Sequence, residues 1–117
     1  MIYEKDWLMR QIQAMVSTIL QFLLHAALPS EKVQNEEKIY VDKIAASIKN
    51  GELCKIEDWL FANIDGTDMM WFRIAVFFYS EANKYSDSFL EENNFSREEI
   101  EFGLREVLKR FGYGELL

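Results

Sequence analysis

Hydrophobic positions along the chain recur at helical spacing, and they divide it into about six segments. In the first, "DWLMRQIQAMVSTILQFLLHAALP", steps of about 100° per residue place Leu8, Met9, Ile12, Met15, Val16, Ile19, Leu20, Phe22, Leu23, Ala26 and Ala27 on one broad face. Arg10, Gln13, Ser17 and Gln21 oppose them, with Gln11, Thr18 and His25 at the margin. The pattern predicts a helix over about 6–27 that Pro29 ends, because the residue before a proline is pushed out of the helical region.

The second segment, "SEKVQNEEKIYVDKIAASIKNG", groups Val33, Tyr40, Val41, Ile44 and Ile48, and Asn50–Gly51 supply residues suited to a left-handed cap. In the third, "ELCKIEDWLFANI", Leu53, Ile56, Leu60 and Ile64 fall together. "DGTD" then breaks the chain, with Thr67 or Asp68 able to cap the next helix. That fourth segment, "MMWFRIAVFFYSEANK", is apolar on every side except a slot formed by Arg73, Ser80 and Lys84. Its "IAVFFY" run suits a buried strand as well as a helix. The start signal and the absence of a partner strand favour a helix, expected at the centre and packed along the first.

A short turn begun at Ser86 leads to the last helix. Ser96 stands three residues before Glu99 as a capping box, and Phe95 and Ile100 occupy the positions of a hydrophobic staple. Ile100, Leu104, Val107, Leu108 and Phe111 form its inward stripe, and Gly112 stops it. The fold expected is all-α: a single domain over 1–117, an antiparallel bundle of five or six helices with 69–83 in the middle and 6–27 along it.

Composition narrows the functional classes. Half of the 117 residues are hydrophobic and 28% are charged, enough apolar material for a core. Thirteen Lys and Arg against twenty Asp and Glu leave a net charge of −7, which repels phosphate backbones and argues against nucleic acid as a partner. Between residues 7 and 27 the opening segment carries seven polar side chains, Arg10, Gln11, Gln13, Ser17, Thr18, Gln21 and His25, too many for a membrane span of about 20 mostly apolar residues. Its single Arg10 is also too little for an in-plane membrane helix. Cys54 is the only cysteine, so no intramolecular disulfide forms; with no secretory leader pattern at the start, a cytoplasmic location is expected.

Catalytic and metal-binding patterns are missing. One histidine excludes two-histidine zinc motifs, and the five glycines make no phosphate loop. Cys54 and His25 are expected in structural roles, the cysteine buried. Glu57 with Asp58, Glu91 with Glu92 and Glu98 with Glu99 point apart on a helix and are expected as solvated charge. Gly103, inside the last helix, marks a candidate close approach. No catalytic residue, metal ligand or cofactor is assigned. Arg73, the one charge between Met69 and Tyr79, is the candidate for a ligand contact or a buried ion pair, because a buried guanidinium must be paired.

The opening "MIYEKDWLMRQIQAMV", with "EDWLFANID" and "FSREEIEFGL", resembles an uncharacterised family of short helical proteins from Gram-positive bacteria. Met9, Arg10, Gln11 and Ile12 match its most recognisable run, and the resemblance implies a helical fold and no activity. A looser similarity is to tetratricopeptide-type helical hairpins, although no period near that repeat's roughly 34 residues is visible. The function expected is interaction or scaffolding, with a protein partner or a second copy held by Met9, Ile12, Met15, Val16, Leu20, Leu23 and Leu24. The alternatives are an acidic inhibitor or immunity-type protein steered to a basic partner, and an anion-binding domain near Arg73.

Overall fold

The structure is a computed structural model that describes residues 5–26 and 28–117. It is all-helical: α1 (Asp6–Leu23), α2 (Glu31–Lys49), α3 (Leu53–Asn63), α4 (Met69–Ala82), α5 (Asp87–Glu92) and α6 (Arg97–Arg110) follow one another, with no strand among the described residues. The "IAVFFY" run is therefore helix. The molecule is elongated, 46 × 29 × 20 Å along its principal axes.

The starts of α2, α4, α5 and α6 have a local cause. Ser30, Ser86 and Ser96 accept hydrogen bonds from the amides of Val33, Phe89 and Glu99, and Asp68 does the same for Met70. Phe95 and Ile100 are both buried, as the staple requires. Gly51 and Gly112 take φ near +80°, the left-handed conformation that closes α2 and α6 and that a side chain resists.

The central element is α4, as its apolar circumference predicts. Phe72, Ile74, Ala75, Val76, Phe78, Tyr79 and Ala82 are buried, and the helix packs most extensively on α2, then α6, with α1 also against it. The inward stripe of α6 is buried in full. Lys5–Glu98 and Gln11–Glu101 contacts fasten α1 to α6 at the surface.

The first helix departs from expectation at its end. It stops at Leu23, and Leu24, His25 and Ala26 continue in a turn bonded to the carbonyls of Leu20, Phe22 and Leu23. Pro29 is thus not what ends it. Leu24, His25 and Ala26 are all exposed and have no core beneath them to hold another helical turn. Ala27, assigned to the apolar face, lies outside the described residues.

No described helix is long and apolar enough to cross a membrane.

Candidate functional site

An open apolar groove runs between α1 and α4, with α2 at one end. Its volume is about 670 Å³. Val16, Leu20, Leu23 and Leu24 form the α1 wall, and Val76, Phe77 and Ser80 form the α4 wall. Two smaller hollows extend it: one of about 200 Å³ passes Gln13, Ser17 and Asn83, the other, of about 430 Å³, passes Leu28, Pro29 and Val41. The first shares Val16, Leu20, Ser80 and Lys84 with the main groove, and the second shares Glu37 and Arg73.

The polar slot read from α4, Arg73, Ser80 and Lys84, lies along this groove. Arg73, Phe77, Ser80 and Lys84 follow at helical spacing, and all four line it. Arg73 is paired: its Nε donates to Glu37 Oε1 at 2.9 Å and Oε2 at 3.1 Å, and a terminal nitrogen reaches Oε1 at 2.8 Å. The side chains are 22% and 20% exposed, so water screens the pair only in part. Lys84 is paired with Glu81 one turn back. Both cations of the groove thus have carboxylate partners, which leaves mainly apolar walls between two ion pairs.

The candidate interface residues divide. Ile12, Met15 and Val16 are buried in the protein's own core and cannot meet a partner, although Val16 shows an edge to the groove. The 100° wheel alone does not tell the middle of a wide apolar face from its margin. Met9 is half-buried, and its carbonyl accepts from Asn83 Nδ2 at 3.1 Å. Leu23 is half-buried, whereas Leu20 is 50% exposed, Leu24 81% and Leu28 90%. The exposed apolar ridge is therefore Leu20, Leu24 and Leu28, beside the groove.

Three further constellations were not read from the sequence in their full form. Arg97, rather than Arg73, is the deeply buried arginine, 3% exposed. Its Nε donates to Asp87 at 2.8 Å, one terminal nitrogen to the Asn83 carbonyl at 2.6 Å and Oδ1 at 3.0 Å, and the other to the Tyr85 carbonyl. The visible signal was its place: it opens α6, where the helix dipole disfavours a cation.

The second is the hydroxyl of Tyr79, which donates to Glu57 Oε2 inside the fold. Glu57 is half-buried, so the expectation of solvated charge is corrected. Burial holds its carboxyl above the usual range, against the Tyr79 hydrogen bond, with Glu99 and Asp58 adding to the rise. Burial and then the Glu57 bond push the Tyr79 hydroxyl far above the usual phenol value.

The third surrounds Cys54, which is exposed rather than buried. Its sulfur lies 3.3 Å from the Asn94 carbonyl, and local burial together with Glu99, Glu57 and Asp58 raises the thiol, which keeps it a poor nucleophile. His25 is exposed in the turn after α1. Among the described residues no three His, Cys, Asp or Glu side chains gather as a metal site would need.

The pattern of a family of unknown function, DUF6483, matches residues 2–112. The chain belongs to that family. No curated protein and no solved structure shows a match. The family's span takes in α1 through α6 and the whole of the groove, so the Arg73–Glu37 pair and the Leu20–Leu24–Leu28 ridge all lie within it.

Proposed function

We propose that the protein is a small helical interaction or scaffolding domain, which binds another protein or a second copy of itself through the exposed part of α1 and the groove beside it. The observation that carries this is the ridge of Leu20, Leu24 and Leu28 next to an open apolar groove. Leucines that a fold leaves in water beside a hollow are an unfinished apolar surface, and covering them removes area from water at about 25 cal/mol per Å². We assign no catalysis and no cofactor to the domain. Its setting is the cytoplasm, in keeping with a lone cysteine, and the resemblance of its opening segment favours a Gram-positive bacterial source.

The test is a photo-reactive amino acid at position 24, activated in living cells that express the protein. A specific cross-linked product, identified by mass spectrometry and lost when Leu20→Glu is added, is the expected result. Cross-linking to no protein, or to products indifferent to Leu20→Glu, overturns the assignment.

A second possibility, an acidic inhibitor, draws on the gathering of carboxylates from α3, α5 and α6. Glu57, Asp58 and Glu99 all act on Cys54, and Glu98, Glu91 and Asp87 all act on Lys5. A photo-reactive group at exposed position 91 should then capture a basic protein whose affinity falls steeply with salt. Absence of such a product rejects it.

A further inference from the structure

The ridge and the groove lie on one face, and this bears on what covers them. Leu24, which caps α1, is 81% exposed, and Leu28, in the connection to α2, is 90% exposed, while the hollows they border have mainly apolar walls. A face that carries both a knob and a hole has the two parts that an isologous two-fold contact needs, in which each copy's knob enters the other's hole and the contact closes after two copies.

Charge points the same way. The ionic side chains of the main groove are Glu37, Arg73, Glu81 and Lys84, two of each sign and already paired, and the hollow toward Leu28 adds Lys38, so this face carries no net negative charge. The chain carries −7, and that excess must lie elsewhere on the surface. Two copies of an acidic protein repel through most relative orientations. On this face, which carries no net negative charge, that repulsion is weak, and Leu20, Leu24 and Leu28 supply apolar contact. A basic partner would be drawn to the carboxylates of α3, α5 and α6 instead.

Building on the interaction role above, we propose that the occupant of the groove is a second copy of this chain, in a two-fold pair that seats Leu24 of each copy beside Ser80 of the other. Leu28 of each copy then reaches along the partner's ridge toward Leu20.

Sedimentation equilibrium of the full chain, from micromolar to near-millimolar concentration, tests this. Wild type is expected to pass from the chain mass of 13.9 kDa to twice that value. Leu24→Glu should stay at the chain mass with an unchanged far-ultraviolet circular dichroism spectrum, since residue 24 contributes nothing to the core. The pairing is read by mixing a Leu24→Cys chain with a Ser80→Cys chain, both in a Cys54→Ser background, under mild oxidation. A disulfide dimer that forms in the mixture far faster than in either chain alone supports the proposal. A wild-type monomer throughout, a dimer indifferent to Leu24→Glu, or no preference for the mixed disulfide overturns it. If the wild type is monomeric yet position 24 cross-links to a different protein in cells, self-pairing fails while the interaction role stands; if both results are negative, both fail.

Discussion

The hydroxyl end of Tyr79 fills the space that a β-carbon on Gly103 would need. Gly103 is thus the notch in α6 that admits the Tyr79 ring from α4. The ring carbons bearing and adjoining the hydroxyl are also inside 3.0 Å of that β-carbon position. Gly103→Ala would gain roughly 1 kcal/mol of helix propensity on an isolated helix. Here the overpacking outweighs it, and a net loss of about 1–3 kcal/mol is expected from denaturant unfolding. In a Tyr79→Leu background the same change should cost much less, and equal costs in both backgrounds would rule the notch out.

The bond that the same hydroxyl donates to Glu57 sets a pH dependence. Glu57 has a carboxyl raised above 4.5 in the folded protein, so the folded state binds its proton more tightly than the unfolded one. Its contribution is fully present below pH 4.5 and is lost as pH rises through the raised folded value. Glu57→Gln keeps an oxygen for Tyr79 without the charge, so its stability relative to wild type should increase with pH across that window. Tyr79 is raised too, and its contribution falls away only above pH 10. Denaturant titrations of wild type and Glu57→Gln at matched pH values measure the first effect, and a pH-independent difference would contradict it.

Arg97 fastens the end of α4 and the start of α5 to α6, and through Asn83 it also reaches the Met9 carbonyl on α1. Removing its charge strands Asp87 and three oxygens that now accept from it. Asp87 keeps some access to water, at 27% side-chain exposure. Arg97→Met should therefore cost about 3 kcal/mol, the lower end for a broken buried pair. Arg97→Lys should be nearly as damaging, since one ammonium cannot imitate the planar fork. Thermal unfolding monitored by circular dichroism checks both, and a wild-type melting temperature for Arg97→Lys would show that the fork geometry is unimportant.

How far the chain could be read in advance follows from what each signal depends on. Caps and stripes are local, so Ser96, Phe95, Ile100 and the burial of α6 were legible, as was the polar slot of α4 that lies along the groove. Which acid meets which base is not local. Glu37 and Arg73 are 36 positions apart and meet only because α2 lies along α4. A clue existed: Val33, Glu37, Val41, Ile44 and Ile48 run at helical spacing, so Glu37 is the one charge inside the stripe that faces α4. The width of the α1 face misled for a related reason. A wheel shows which residues share a side, but the depth of Ile12 and the exposure of Leu24 depend on how far along the helix its neighbours extend.

The Arg73–Glu37 pair should behave as a structural ion pair and not as an anion site. Arg73→Met alone leaves Glu37 partly desolvated without a partner, at a cost of about 1–3 kcal/mol. The double variant Arg73→Met, Glu37→Met replaces the pair with apolar groups in an apolar wall and should recover most of that loss. A double-mutant cycle in urea measures the coupling. A thermal stabilisation by phosphate that is present in wild type and absent in Arg73→Met would reverse the conclusion.

The two sides of α1 should respond in opposite ways to the same substitution. Ile19 is fully buried, and a carboxylate there has no partner and no water, so Ile19→Glu should leave the chain largely unfolded. Leu20, its neighbour, is half exposed, and Leu24, the C-cap of α1, is 81% exposed. Glu at either position can hydrate, and the change in unfolding free energy of the isolated chain should remain within about 1 kcal/mol. At concentrations where copies pair, however, Leu24→Glu removes the extra stability that association confers by mass action. The wild-type melting temperature should therefore climb with protein concentration and that of Leu24→Glu should not. A wild-type melting temperature independent of concentration would mean that no second copy covers the ridge.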